Sequence, residues 1–228
     1  MNPDKSIVPI LAIGEYNSIK YFLGTGVFIV RPRLLATAEH VVRDWNGPLA
    51  VTTPLHLDQI FRANILSRSS ESDLVLLEVP QYPFEDNLQL AEDEEIITNH
   101  PVVCMEYGTT RTLGNTINFS PATRLGNVTR VINIDRFGKA GKDALELSFP
   151  ALRGASGSPV LSNINFHLWG IMIANVSYHL LPSQIETVLD EKNNIMEETK
   201  FMLPQAIAIN VKHLREMILI LLDDEGIR

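Results

Sequence analysis

The sequence predicts an all-β protein: two six-stranded antiparallel β-barrels followed by a C-terminal α-helix. Three observations carry that prediction. Short apolar runs punctuated by Gly, Pro, Asn and Ser fall into two sets of six, the pattern of closed antiparallel sheets. A polar, proline-bearing stretch containing the acidic run Glu92-Asp93-Glu94-Glu95 separates the two sets. A length of 228 residues and a 45% apolar composition accommodate and fill two barrels of about 100 residues each.

In chain order, strands are predicted at about 7–13, 21–30, 34–37, 49–54, 59–67 and 74–79, with Gly14, Asn17, Arg31-Pro32, Asn46-Gly47-Pro48 and Ser69-Ser70 in the intervening turns. Residues 1–80 thus form the first barrel. Residues 81–100 read as a solvated linker. The second barrel, 101–210, takes strands at about 101–107, 123–134, 144–149, 159–162, 167–174 and 205–209. Within it, residues 177–200 are rich in Glu, Asn and Lys and lack clear strand alternation, so they read as a long exposed loop that is either functional or mobile. Residues 211–228 form a helix and tail. Val211, Leu214, Ile218 and Leu221 recur at helical spacing, and Met217, Leu219, Ile220 and Leu222 widen the apolar face beyond one stripe. Docking on the barrel is the first reading of that face, and a partner or self-association surface is the second.

Chemistry enters at Gly154-Ala155-Ser156-Gly157-Ser158-Pro159-Val160, a serine between glycines at a tight turn that runs into an apolar strand. Glycines at 154 and 157 permit backbone angles that a side chain disfavours, and they leave room beside the serine for a substrate carbonyl. The N–H groups of Gly154 and Ser156 form the candidate oxyanion hole, whose loss typically costs on the order of 100- to 1000-fold in rate. A serine hydroxyl is a poor nucleophile until a base takes its proton, and a histidine base needs a carboxylate to fix its tautomer. His40, after the run Leu34 to Ala38, and Asp73, at the head of the run Leu74 to Val79, supply both. Gly-Ser clusters, lone histidines and turn aspartates are each ordinary features. Their conjunction in the order His, Asp, Ser is not.

These segments resemble the signatures of the trypsin/chymotrypsin-like serine proteases. Thr37-Ala38-Glu39-His40 matches the family's T-A-x-H, Asp73 to Leu77 matches its D-[LIV]-[AV]-[LIV]-[LIV] strand, and Gly154 to Pro159 matches its G-x-S-G-[GS]-P motif. The last is similar to the form found in bacterial members such as glutamyl endopeptidases and Deg-type proteases. Gly24-Thr25-Gly26-Val27 resembles the strand before the histidine, and Gln205 to Val211 with its helix resembles the closing strand and helix of Deg-type domains. The resemblance implies a chymotrypsin-like double barrel with the triad His40, Asp73 and Ser156 in the cleft between barrels, a common place for ligand sites. It also implies a specificity pocket walled by Ile173, Ala174 and Asn175 with Gln205 opposite. Those residues are uncharged, which favours a small or medium apolar residue before the scissile bond; His167 and His179 keep glutamate specificity open. Ala155 stands where zymogens of the family carry the aspartate that pairs with a newly cut N-terminus, so that activation device is missing.

A net charge of −8 disfavours a nucleic-acid groove. Cys104 is the only cysteine, so no disulfide forms within the chain, and its place in the apolar run Pro101 to Met105 argues against a nucleophilic thiol. Met1-Asn2-Pro3-Asp4-Lys5 carries no secretory pattern, and no stretch approaches the roughly 20 apolar residues of a membrane span. The expected setting is the cytoplasm. The expected activity is serine endopeptidase chemistry through an acyl-enzyme, acting on a protein or peptide partner without metal or cofactor and without nucleic-acid or membrane partners. A catalytically silent peptide-binding module and a serine esterase are the alternatives.

Overall fold

The computed structural model describes residues 3–53, 55–113, 116–134, 142–179, 186–189, 195–199, 202–224 and 226. The first half runs α1 (Pro3–Ser6), β1 (Ile7–Ile13), β2 (Ile19–Phe28), β3 (Leu34–Ala38), α2 (Glu39–Arg43), β4 (Leu49–Thr53), β5 (His56–Ser69) and β6 (Leu74–Glu78). Its strands close into an antiparallel barrel in the order β1-β2-β3-β6-β5-β4. The second half runs β7 (Pro101–Glu106), β8 (Arg111–Leu113), β9 (Thr116–Asn118), β10 (Ala122–Ile134), β11 (Lys142–Leu147), β12 (Pro159–Ser162), β13 (Leu168–His179), β14 (Glu186–Leu189), β15 (Ile195–Thr199), β16 (Met202–Asn210) and α3 (Val211–Asp224). A second barrel closes as β10-β11-β16-β13-β12-β7, while β8–β9 and β14–β15 are separate hairpins. Closure removes the unpaired edges that an open sheet would expose.

Burial explains why the apolar runs are continuous rather than alternating. Every residue of β1 is buried, because the strand faces the core of its own barrel on one side and further structure on the other. Val8 and Ile10 join the main core, whereas Leu11 and Ile13 form a second cluster with Ala50, covered by Phe22, Ile60, Ile117 and Phe119. The β8–β9 hairpin of the second half therefore packs against the first barrel at β1 and β2. In the second barrel Trp169 is fully buried, and its ring stacks on His100 at 4.2 Å.

Residues 81–100 depart from the expected solvated linker. Tyr82, Leu88 and Ala91 are buried; the Tyr82 ring stacks on Phe28 at 4.1 Å, and its hydroxyl donates to the Lys5 carbonyl at 2.6 Å. Isolated bridges join Leu88 to Ile29 and Leu90 to Leu168, so the connector is stitched to both barrels. Its acidic run forms a 3-10 turn at Asp93–Glu95 with a reciprocal capping box between Glu92 and Glu95, a use of acidic residues that suits a helix start.

Residues 177–200 also depart from expectation. β13 continues to His179, paired with β16 as far as Met202, and Glu186–Leu189 pairs with Ile195–Thr199 as an antiparallel hairpin. The parts of this segment at 180–185, 190–194 and 200 lie outside the described residues.

Helix α3 buries Val211, Leu214, Met217 and Ile218 and leaves Leu219 and Ile220 exposed. It packs on β13 and β16 and also touches β5, which spans the two barrels. Among the described residues no helix is long and apolar enough to cross a membrane.

Candidate active site

Strand β3 delivers the chain to α2 through Ala38, whose extended backbone caps the helix. Three hydrogen bonds then lock this turn to Asp73. The Glu39 N–H donates to the Asp73 carbonyl at 2.9 Å, the His40 N–H to Asp73 Oδ1 at 2.9 Å, and His40 Nδ1 to Asp73 Oδ2 at 2.7 Å. Asp73 adopts a φ of 53°, a left-handed conformation that aspartate tolerates better than most residues. The three bonds hold it there. With its side chain 1% exposed against 28% for His40, the carboxylate is shielded while the imidazole reaches solvent. Donation from Nδ1 leaves Nε2 of the neutral ring as the proton acceptor.

Behind this pair lies a group the motif reading missed. Glu39 is buried and accepts from Arg43 Nε at 2.6 Å and from Arg68 Nη1 at 3.3 Å. Arg43 Nη2 also reaches Asp73 Oδ1 at 3.4 Å, and its bond to Glu39 raises the guanidinium pKa. The only sequence signal was the Glu39–Arg43 spacing of four along a helix.

The serine turn is built on positive-φ glycines, 92° at Gly154 and 85° at Gly157. Ala155 N–H donates to Leu152 O at 2.9 Å, Gly157 N–H to Met172 O at 2.8 Å and Ser158 N–H to Ala155 O at 3.0 Å. Among the described residues the N–H groups of Gly154 and Ser156 donate to no acceptor. They are free for a ligand oxygen.

The first barrel seats this turn. Thr25 N–H donates to Ser156 O at 3.0 Å, Thr25 Oγ1 to Gly154 O at 3.4 Å, and Thr37 Oγ1 to Thr25 O at 2.7 Å. A Cβ on Gly24 would lie 2.8 Å from Ser156 O and 2.9 Å from Val41 Cγ2. The turn carrying Ser156 and the helical turn carrying His40 therefore both close on one glycine that has no room for a methyl. Beside Gly154 opens a cavity of about 580 Å³ lined by Tyr21, Phe22 and Leu23, by Gly108 to Arg111, and by Arg153.

The residue match decides the family. Residues 24–171 match the trypsin-like peptidase domain. The chain belongs to the trypsin-like peptidase family. That span contains His40, Asp73 and Ser156. Solved relatives agree in fold: the active form of the Rv3671c protease from M. tuberculosis has a TM-score of 0.64 at 18% identity, covering 95% of this chain and 80% of the other. An inactive mutant form of the same protease from M. tuberculosis H37Rv has a TM-score of 0.63 at 17% identity, covering 96% and 87%. No curated protein matches the chain in sequence.

Within this trypsin-like peptidase the expected pocket residues do not all converge. Ile173 is buried in the core. Asn175 makes a two-way amide pair with Ala151, accepting from its N–H at 2.7 Å and donating to its carbonyl at 2.7 Å. Asn175 pairs with Ala206 while Gln205 pairs with Val176, so Asn175 and Gln205 fall on opposite faces of the β13–β16 pair. His167 is engaged elsewhere, 3.1 Å from Glu95 of the connector. The side chain of His179 lies outside the described residues. Cys104 is fully buried, and that burial pushes its thiol far up, as expected of an inert structural cysteine.

Proposed function

We propose that this peptidase-family chain is a serine endopeptidase with His40, Asp73 and Ser156 as its triad. His40 Nε2 accepts the Ser156 proton as Oγ attacks the scissile carbonyl; the oxyanion takes the N–H groups of Gly154 and Ser156; the imidazolium then protonates the leaving amine. Water repeats the sequence on the acyl-enzyme and returns the proton to Ser156. The observation that carries this reading is the 2.7 Å Asp73–His40 bond, on a helical turn that shares its contact at Gly24 with a serine turn whose two oxyanion donors are unspent. A silent peptide-binding module would have no need of such an arrangement. Protein substrates in the cytoplasm are supported by the lone buried cysteine and by the negative net charge, which disfavours nucleic-acid partners.

A fluorophosphonate probe tests the reading directly. It should label the native chain once, at Ser156, and Ser156→Ala should abolish labelling and lower peptide hydrolysis by roughly a million-fold while the fold is retained. Full hydrolysis by Ser156→Ala would end it. Cleavage of esters with no cleavage across a peptide library would instead assign an esterase.

A further inference from the structure

We propose that the cavity beside Gly154 seats the part of the substrate that follows the scissile bond and selects acidic residues there, through Arg111 and Arg153. The inference rests on the endopeptidase reading. With the specificity pocket on the β13 side, as the family resemblance implies, the acyl side of a carbonyl held by the N–H groups of Gly154 and Ser156 lies toward Ala151, which is bonded to Asn175 of β13. The chain beyond that carbonyl must leave past the opposite wall, and that wall is β2 with the segment 108–111: the Phe22 ring and Gly108 are the nearest neighbours of a Cβ built on Gly154. The 580 Å³ cavity occupies this position.

Its charge is opposite to that of the chain as a whole. The chain carries net charge −8, and Arg43, Arg68, Arg124, Arg130 and Arg215 each hold a carboxylate. The side chains of Arg111 and Arg153 make no ion pair or hydrogen bond among the described residues, yet both residues line this one cavity, whose lining contains no Asp or Glu. Two unspent guanidinium groups in a concave site focus a positive potential. Each presents a planar fork that fits a carboxylate. Tyr21 and Phe22 supply an apolar wall for the stem of the bound side chain. The ligand chemistry that satisfies this site is an acidic peptide segment on the leaving side.

The test uses peptides identical through the scissile bond, carrying Asp, Asn or Lys at the second residue after it, beside a p-nitrophenyl ester of the same acyl part, which has no leaving-side residues. The expected order of kcat/KM is Asp above Asn above Lys, about tenfold from end to end, because two exposed charge pairs each contribute only a few-fold; 0.5 M salt should compress it. The double variant Arg111→Glu, Arg153→Glu should reverse the order, and if it does not fold, Arg111→Gln and Arg153→Gln should each narrow it. Equal rates for the three peptides, a preference for Lys, or an Asp preference that survives these substitutions overturns the inference, while cleavage of the peptides themselves leaves the endopeptidase reading standing. Failure of both the ester and the fluorophosphonate probe removes that reading, and the inference falls with it.

Discussion

Gly157 shows how one hydrogen in place of a methyl decides whether the site exists. Its φ of 85° costs a non-glycine residue roughly 1–2 kcal/mol, and a Cβ there would overlap both the Thr25 carbonyl and the Thr37 side chain. Gly157→Ala should therefore destabilise the chain by at least about 3 kcal/mol in urea unfolding and slow probe labelling on the order of 100-fold, since the displaced serine would miss its attack geometry. Asp73→Asn tests the other half. It keeps the shape but cannot hold the imidazole with Nδ1 donating to a carboxylate, and turnover should fall on the order of 10⁴-fold with the fold intact. The pairing of His40 with Asp73 and the tight glycine turn around Ser156 were legible because each sits in a short segment whose residue types follow from local chemistry. The buried Glu39 shared by Arg43 of its own helix and Arg68 of β5 was not, because the burial and the second arginine are tertiary facts. The separation of Asn175 from Gln205 has a related cause: the register of β13 with β16 pairs Asn175 with Ala206 and Val176 with Gln205, and no sequence pattern marks that register.

The barrel strands were readable from apolar runs and turn residues, and their observed limits lie within a few residues of those expected, with β5 and β13 longer than the runs suggest. Hairpins β8–β9 and β14–β15 were missed because their strands are only three to five residues long and partly polar, too short for alternation to register. The connector was missed because Tyr82, Leu88 and Ala91 are buried without any period. Its acidic turn has a measurable pH signature. Hydrogen bonds from the Glu92 backbone and the Asn165 side chain, then His167, hold the Glu95 carboxyl at about 2 against an ordinary 4.5. The folded state thus favours ionised Glu95, so its contribution is present above pH 4.5 and is lost as pH falls toward 2. Glu95→Gln should flatten that part of the acid-unfolding profile. Glu106 at the end of β7 behaves oppositely: burial raises its pKa, and Arg124 Nε at 2.5 Å offsets this only in part. A raised carboxyl loses stability as pH rises through its titration. Arg124→Met should therefore cost about 3 kcal/mol where Glu106 is ionised and measurably less where acid protonates it; a cost that does not change with pH would show that Arg124 does not act by pairing with the Glu106 carboxylate.

Helix α3 begins directly after the last barrel strand, and its contacts with β13, β16 and β5 make it a clasp across the two barrels. Leu214 is fully buried at its centre. Leu214→Ala should cost about 3 kcal/mol, and the loss should appear in the unfolding of both barrels rather than one. The two tryptophans of the chain are placed to report that difference. Trp169 lies sealed in the second barrel against the His100 ring. Trp45 follows α2 in the first, half-buried, donating to the Pro48 carbonyl at 3.0 Å and edge-on to Tyr21 at 6.0 Å, a residue of the basic cavity. Each barrel thus carries its own fluorophore in a distinct environment: emission from Trp169 should lie to the blue and resist aqueous quenchers, whereas emission from Trp45 should lie to the red and be quenched by iodide. With Trp45→Phe and Trp169→Phe, unfolding, barrel separation and occupancy of the cavity become three separable optical signals, recorded on the unlabelled protein.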